Sequence, residues 1–365
     1  MRRNKKTWAL FMTVMMAVVF ALAGCGANGA APSQSAPEPG SESDSAETPA
    51  AAAGEKIEIQ LATTEPEDHN VTAGAAKFKE LIEEKSGGRI TVKLYPNLQL
   101  GSLREQAEMT QMGSIQMTTS PLSTVSSFVA DLAVMELPFL FDNEEQMWSI
   151  LDAEVGRQTL ATLESSGSGL TGIGLWGGGY KQMTTNARPI ATPDDLAGLK
   201  IRVIPSDALI AQYKAWGANP TPIDFAELYS ALQQGTVDGQ ENPLTTILSK
   251  KLNEVQKYLT ISNHAYQYHV FMANADWFNG LSEKDRQLIA EAEYEARVYS
   301  RNLNMERAAS NLEELEAQGM QVNTLTQEAV DAFRGKSAEL YEQIADTEGK
   351  KTLLHAVQEA VKASE

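Results

Sequence analysis

Residues 57–95, IEIQLATTEPEDHNVTAGAAKFKELIEEKSGGRITVKLY, contain two strand patterns with a helix pattern between them. Residues 57–61 and 90–95 alternate apolar and polar side chains, which is typical of strands. Residues 71–86 place apolar side chains at helical spacing, and two glycines follow. This strand–helix–strand order predicts an α/β fold with a largely parallel sheet.

The same alternation continues along the chain. A helix pattern covers 102–113 and a strand pattern 115–119. A second unit has strand patterns at 170–176, 181–186, 200–204 and 236–240, and helix patterns opening at 192–195 and covering 207–216, 224–234 and 243–251. From Ser282 to about Gln318 no glycine or proline occurs, which predicts a helix of roughly 36 residues and about 54 Å. A helix of this length exceeds the width expected of a single lobe of the chain, so we expect it to span two lobes.

The N-terminus has the features of an exported lipoprotein. Residues 1–24 combine early cations with an apolar run, as in a signal peptide. The run ends in LAGC at residues 22–25, which resembles a lipobox and implies cleavage before Cys25 and a lipid on its sulfur. The alternative is an ordinary secretory signal with an incidental cysteine. Residues 25–54 lack apolar periodicity and are predicted to be a disordered tether.

The charge balance excludes some partners. The formal net charge is −18, and removing the four cations of the signal peptide takes it to −22. Such an acidic body is a poor candidate for binding nucleic acid or anionic lipid heads. Any site for an anion must therefore be built from local cations. Cys25 is the only cysteine, so an intramolecular disulfide is impossible.

The motifs of catalysis and cofactor binding are weak or absent in the sequence. Residues 172–177, GIGLWG, match G-x-G-x-x-G but continue into further glycines rather than into a helix pattern. A loop or a close backbone approach beside a cleft is the better interpretation. The four histidines have no metal-ligand spacing, and no G-x-S-x-G elbow is present. The sequence therefore predicts no cofactor, no metal site and no enzyme activity, with a hydrolase of carboxylates as the enzymatic alternative.

Three cations in the second unit are candidates for binding an anion. Lys181, Arg188 and Arg202 lie where strand patterns end, and open α/β folds bind ligands at the carboxyl ends of strands. Arginine suits a carboxylate because its planar fork donates two parallel hydrogen bonds. Arg202 stands in the apolar stretch GLKIRVIPS, residues 198–206. From the residues alone, an internal salt bridge and a bound ligand are equally good explanations of this arginine.

From residue 57 to about residue 280 the chain resembles the extracytoplasmic solute-binding proteins of TRAP transporters, the DctP family. The resemblance is carried by AKFKEL (76–81), GRITV (88–92), YP (95–96), QLGS (99–102), ELPFLF (136–141), RPI (188–190), DLAGLKIRV (195–203), GANPTP (217–222) and, most specifically, ELYSALQQGTVDGQENP (227–243). It implies a two-lobed fold like that of periplasmic binding proteins, closing over a small organic acid. Each lobe is expected to hold a mixed, largely parallel sheet, with a long helix spanning both lobes.

The resemblance also implies site residues. The arginine of the GLKIRV strand, here Arg202, would form a salt bridge with the carboxylate of the ligand. The other implied contacts are Phe225, Asn242, His269, His69 in the loop 63–69, and Thr119 with Ser120 at a strand end. Many relatives have a second arginine where this chain has Lys181, which keeps the charge but loses the fork. Trp176 either packs against the ligand or belongs to the core.

The implied organisation has four parts. They are a signal peptide at 1–24, the tether, lobe I at 55–178 with part of 269–310, and lobe II at 179–268 with part of 310–365. The implied partners are the ligand, a TRAP membrane permease and the membrane itself, reached by the lipid on Cys25. The protein is expected to be a monomer outside the cytoplasm, on the outer face of the membrane or in the periplasm. The alternative is a sensing protein of the same fold, serving chemotaxis or a two-component system.

Overall fold

The computed structural model of the protein describes residues 54–364. The predicted signal peptide, Cys25 and all but the last residue of the predicted tether lie outside this range. The strand–helix–strand unit at 57–95 has the predicted order, with β1 at Ile57–Thr63, α1 at Asn70–Lys85 and β2 at Ile90–Tyr95. β1 and β2 are parallel, as the pattern predicts.

The other elements follow in chain order. The remaining strands are β3 Met117–Pro121, β4 Leu170–Thr185, β5 Lys200–Val203, β6 Asn219–Pro222, β7 Gly239–Pro243, β8 Tyr258–Ile261, β9 Tyr266–Asn274 and β10 Gln321–Thr324. The remaining helices are α2 Leu103–Gln111, α3 Leu122–Val125, α4 Glu144–Leu151, α5 Glu154–Ser165, α6 Asp207–Ala215, α7 Leu228–Gln233, α8 Leu244–Ser249, α9 Ala275–Gly280, α10 Glu283–Ala317, α11 Gln327–Ile344 and α12 Glu348–Ala363. Short 3₁₀ segments cover Ala130–Glu136, Pro193–Leu196, Phe225–Glu227 and Leu252–Glu254.

The strands form a mixed sheet with two sections that share β4. The first section has the order β2-β1-β3-β9-β4, in which β1 is parallel to both of its neighbours and β9 is antiparallel to β3 and β4. The second section continues β4-β7-β5-β6, and β8 pairs with β4 and β10. In it, β5 is parallel to β6 and β7. The predicted α/β class with a mixed sheet is confirmed.

β4 is one strand of 16 residues, where the sequence pattern predicted two separate segments. Its pairing with β9 shifts register between Gly172 and Gly174 and again between Gly177 and Gly179. A Cβ on Gly174 would lie 1.7 Å from Glu293 Oε1. The glycines of the G-x-G-x-x-G match therefore allow close packing inside a strand rather than forming a phosphate loop. The close backbone approach predicted for them is confirmed.

The long helix predicted near the C-terminus is α10, with 35 residues. It packs on both sections of the sheet. Ser300 Oγ donates to the carbonyl oxygen of Asn70 in α1 at 2.9 Å, and Asn311 Nδ2 donates to Thr245 Oγ1 in α8 at 3.1 Å. None of the helices described between residues 54 and 364 combines the length and the apolar character that a membrane span requires.

Candidate functional site

Arg202 lies in β5 with only 1% of its surface exposed. Its Nε donates to the carbonyl oxygen of Ile223 at 2.9 Å, but its Nη2 has no hydrogen-bond partner. Among residues 54–364, no carboxylate lies within ion-pair distance of the guanidinium. Burial lowers the pKa of Arg202 to about 10, so the group is still a cation at neutral pH. The described part of the chain thus supplies no internal salt bridge for this arginine.

Phe225 and Lys250 lie beside Arg202. The Cζ of Arg202 is 5.8 Å from the centroid of the Phe225 ring, and Lys250 Nζ is 4.9 Å from the same centroid. Cations over an aromatic face at these distances are attracted by the ring quadrupole. Lys250 also donates to Asn97 Oδ1 at 2.9 Å. Lys250 escapes sequence analysis because it is one of several lysines near the end of a short helix.

Hydroxyl groups collect where β1 and β3 end side by side. Thr63 pairs with Thr119 in the parallel register of the two strands. The hydroxyls of Thr64, Thr119 and Ser120 are buried and have no hydrogen-bond partner. Buried polar atoms in folded proteins almost always have a partner. Thr119 shares the sheet face of His269, whereas Ser120 pairs with Val270 and faces the other side. The unpartnered hydroxyls of Thr64 and Thr119 therefore make this edge a candidate binding place.

Two histidines lie close to this edge. His69 Nδ1 accepts from the backbone N–H of Val71 and so caps α1, and its Nε2 lies 3.1 Å from Thr246 Oγ1. Burial holds the pKa of His69 well below its usual range, so the ring is neutral and its Nε2–H donates to Thr246. His269 is fully buried with both ring nitrogens unpartnered, and its ring centroid is 6.4 Å from that of His69. Burial lowers the pKa of His269 to about 3.

Glu65 adds a carboxyl group to the same region. It is 3% exposed, and its Oε2 has no hydrogen-bond partner. Burial raises the pKa of Glu65 to about 7, while the charges of Lys250 and Arg202 act against that rise. The loop 63–69 was predicted to contribute contacts, but nothing in the sequence distinguishes Glu65 from Glu67 or Asp68 in it. Only the fold shows which of these acids is buried.

Lys181 is paired within the chain. Its Nζ lies 2.7 Å from Glu241 Oε1, and His264 Nε2 lies 2.8 Å from Glu241 Oε2. Tyr213 donates its hydroxyl to the same Oε2 at 3.1 Å. Burial alone would raise the pKa of Glu241, but Lys181 and His264 outweigh it and hold the pKa below the usual range.

The strand register separates Lys181 from Arg202. Met183, two residues along β4 from Lys181, pairs with Glu241, so the lysine and this acid share one face of the sheet. Arg202 pairs with Gln240 and therefore lies on the opposite face. Lys181, which was predicted to contact the ligand, thus forms an ion pair with Glu241 in this structure.

Asn242 and Trp176 have different surroundings. Asn242 shares the sheet face of Arg202 and donates to the side chain of Gln240. Trp176 is fully buried, stacks on Phe271 at 5.0 Å between ring centroids, and donates its Nε1–H to Glu293 at 2.8 Å. Trp176 was predicted either to pack against the ligand or to belong to the core, and its surroundings are those of a core residue.

The structure places Arg202 beside Phe225, and His69 beside His269, which shares a sheet face with Thr119. Ser120, also predicted as a contact, faces the other side of the sheet. A buried cation, a ring, neutral imidazoles and free hydroxyls suit an anion that also carries polar groups. Among residues 54–364, no group of three or more His, Cys, Asp or Glu side chains is placed to hold a metal ion.

Comparison with known proteins agrees with this geometry. Residues 61–348 match the family described as bacterial extracellular solute-binding protein, family 7, or DctP. The chain is 34% identical over 304 residues to the C4-dicarboxylate-binding periplasmic protein DctP of Rhodobacter capsulatus, covering 83% of this chain and 90% of that protein.

Two solved structures are similar over nearly their whole length. The sugar acid binding protein of Advenella mimigardefordensis in complex with galactonate has a TM-score of 0.79 and 31% identity, covering 84% of this chain and 99% of that one. A TRAP periplasmic solute binding protein of Sulfurospirillum deleyianum with bound succinate has a TM-score of 0.78 and 30% identity, with the same coverage.

Proposed function

Because the chain belongs to the bacterial extracellular solute-binding proteins of family 7, the DctP family of TRAP transporters, we propose that it captures a small organic acid through Arg202. The observation that carries this proposal is the free Nη2 of a buried guanidinium. A buried charge without a partner is costly, so a carboxylate arriving from solution completes the site. The carboxylates bound by the galactonate and succinate complexes are of the same chemical class.

The proposed capture requires two lobes, 55–178 and 179–268, that close around the acid. Contacts between the two sheet sections support this interpretation. His69, at the start of α1, donates to Thr246 in α8, and Lys250 donates to Asn97, which follows β2. Such contacts form only where the two sections approach each other. Binding favours the closed state because the ligand contacts both sections at once there.

Delivery to a TRAP membrane permease, with anchoring by a lipid on Cys25, completes the proposal. The family match supports the transport role, and the LAGC sequence at residues 22–25 supports the anchor. No nucleophile, base or metal group is needed for this role, so we propose that the protein is not an enzyme. The closed form would be the one that docks on the permease.

The proposal is tested by replacing Arg202 and measuring affinity by titration calorimetry. The probes are galactonate and succinate. Arg202→Ala is expected to weaken the better probe by about 100- to 4,000-fold, equivalent to about 3–5 kcal/mol, because it leaves a desolvated carboxylate unpaired.

The matched control is Arg188→Ala. Arg188 donates to the backbone carbonyls of Asp195 and Ala197, outside the site, and its loss should leave affinity unchanged. Near-normal affinity in Arg202→Ala would overturn the proposed role of this arginine.

A further inference from the structure

We infer that the ligand is a polyhydroxylated monocarboxylate, an acid of the sugar-acid class, and that Glu65 with the hydroxyls of Thr64 and Thr119 recognises its hydroxyl groups. This inference rests on the proposed function. It assigns the ligand to one chemical class, whereas the comparisons support a galactonate-like and a succinate-like ligand equally.

The first argument comes from the unpartnered groups. Where β1 and β3 end, the hydroxyls of Thr64 and Thr119, the ring nitrogens of His269 and the Oε2 of Glu65 are all buried without hydrogen-bond partners. These groups include both donors and acceptors. A sugar hydroxyl donates one hydrogen bond and accepts others, so a row of hydroxyls satisfies both kinds. The methylene groups of succinate satisfy neither and would leave these atoms buried and unpaired.

The second argument comes from charge. Arg202 and Lys250 are the cations of the site, and Glu65 is close enough to both for their charges to act on its pKa. Asp68 acts on the same carboxyl with the opposite sign. Glu65 is the buried acid beside these two cations, whereas Asp68 is exposed to solvent. With Glu65 ionised, one positive charge is left over, and a single ligand carboxylate balances it.

Lys181 does not change this balance. Its charge is matched by Glu241, on the opposite face of the sheet from Arg202. The lysine therefore offers no free cation for a second carboxylate. Lys181 stands where relatives of this chain have another arginine, and its charge is neutralised by Glu241. This pairing favours a ligand with a single negative charge.

A zwitterion is the competing class, since an ammonium group would also suit Glu65. An ammonium only donates hydrogen bonds, whereas the neutral His269 ring and two hydroxyls offer donors as well. Those donors need acceptor atoms on the ligand. Hydroxyl groups supply them and an ammonium does not.

The test compares three acids with four carbons each: erythronate, succinate and 4-aminobutyrate, with galactonate as a longer sugar acid. Calorimetric titration of the purified protein is expected to give at least tenfold tighter binding for erythronate or galactonate than for the other two. Glu65→Ala and Thr119→Val should each weaken the sugar acid at least tenfold. Glu65→Ala should leave succinate binding unchanged or tighter, because a negative charge is removed.

The outcomes separate the two proposals. Tighter binding of succinate or 4-aminobutyrate that depends on Arg202 would overturn the ligand class and leave the proposed function intact. Equal affinities for erythronate in the wild type and both variants would overturn the role of Glu65 and Thr119. Failure of all four acids to bind would overturn both proposals.

Discussion

The two buried cations of the second sheet section differ in one respect, which is the presence of an internal partner. Lys181 has Glu241 at 2.7 Å, while Arg202 has a backbone carbonyl and a free Nη2. Sequence patterns place both residues at strand ends and offer the same interpretation for each. The difference arises because β4 and β7 direct their side chains to alternate faces, and a sequence without pairing register does not show which acid shares a face with which base.

This difference predicts opposite effects on the stability of the ligand-free protein. Arg202→Met should leave the free energy of unfolding unchanged or raise it, because it removes a buried charge that has no internal partner. Lys181→Met should lower it by about 3–5 kcal/mol, because Glu241 would lose its cation inside the fold. Urea denaturation of both variants, after removal of any bound ligand, measures the two values. Equal destabilisation would show that Arg202 has an internal partner after all.

The residues of the candidate site divide into those that sequence could predict and those it could not. Arg202, His69 and His269 were predicted through resemblance to a family, and the structure places them in one region. Glu65 and Lys250 were missed, because each is one of several like charges in its segment. Burial is the property that selects them, and burial of a single loop residue depends on the packing of distant elements.

At the scale of elements, β4 and β6 differ from prediction where glycine or proline interrupts a pattern. β4 was predicted as two segments because three glycines separate its apolar runs, yet it is one strand with two register shifts. β6 was not predicted, since its sequence is NPTP. It occupies an end of the strand order, where proline is tolerated. α10 was predicted well because length and the absence of helix breakers need no tertiary information.

A matched pair of substitutions compares the effect on stability of adding a Cβ to a glycine of β4 and to a glycine in a helix. Gly174→Ala should lower the unfolding free energy by about 1–3 kcal/mol, because its Cβ would overlap Glu293, which is fixed by Trp176. Gly335 lies in α11, and a Cβ added there would meet no atom within 4 Å. Gly335→Ala should therefore stabilise the protein by about 0.5–1 kcal/mol. Thermal denaturation measures both changes, and a lowered midpoint in both variants would contradict this account.

At the scale of the whole molecule, a strongly acidic chain buries several of its carboxyl groups. Burial raises the pKa of Glu65, Glu136 and Glu293 to about 7 in each case. Glu136 accepts hydrogen bonds from Ser126 and Ser206, and Glu293 accepts one from Trp176. Glu136 and Glu293 thus join separate parts of the chain, so their ionisation acts on packing between elements rather than on one helix or strand.

The sign of their effect on stability follows from linkage. A carboxyl whose pKa is higher in the folded state than in the unfolded state holds its proton more tightly when folded. Its contribution to stability is complete below about pH 4.5 and is lost as the pH rises to about 7. The buried His69 and His269 act in the opposite direction, since their pKa values are lowered. The pH dependence of the unfolding free energy therefore combines contributions of opposite sign. A substitution is needed to isolate the contribution of one group.

Glu293→Gln isolates one carboxyl in this way. The charged and titratable groups that face Glu293 are Arg297, Arg301 and Asp152, and all three are retained in the variant. A shift from 4.5 to about 7 corresponds to about 3 kcal/mol, so the unfolding free energy of the variant relative to wild type should rise by about that amount between pH 4 and pH 8. Urea denaturation at four pH values measures this difference. Glu291→Gln, a substitution at an exposed position on the same helix, should show no such rise. If the unfolding free energies of Glu293→Gln and wild type changed in parallel with pH, Glu293 would ionise normally in the folded protein.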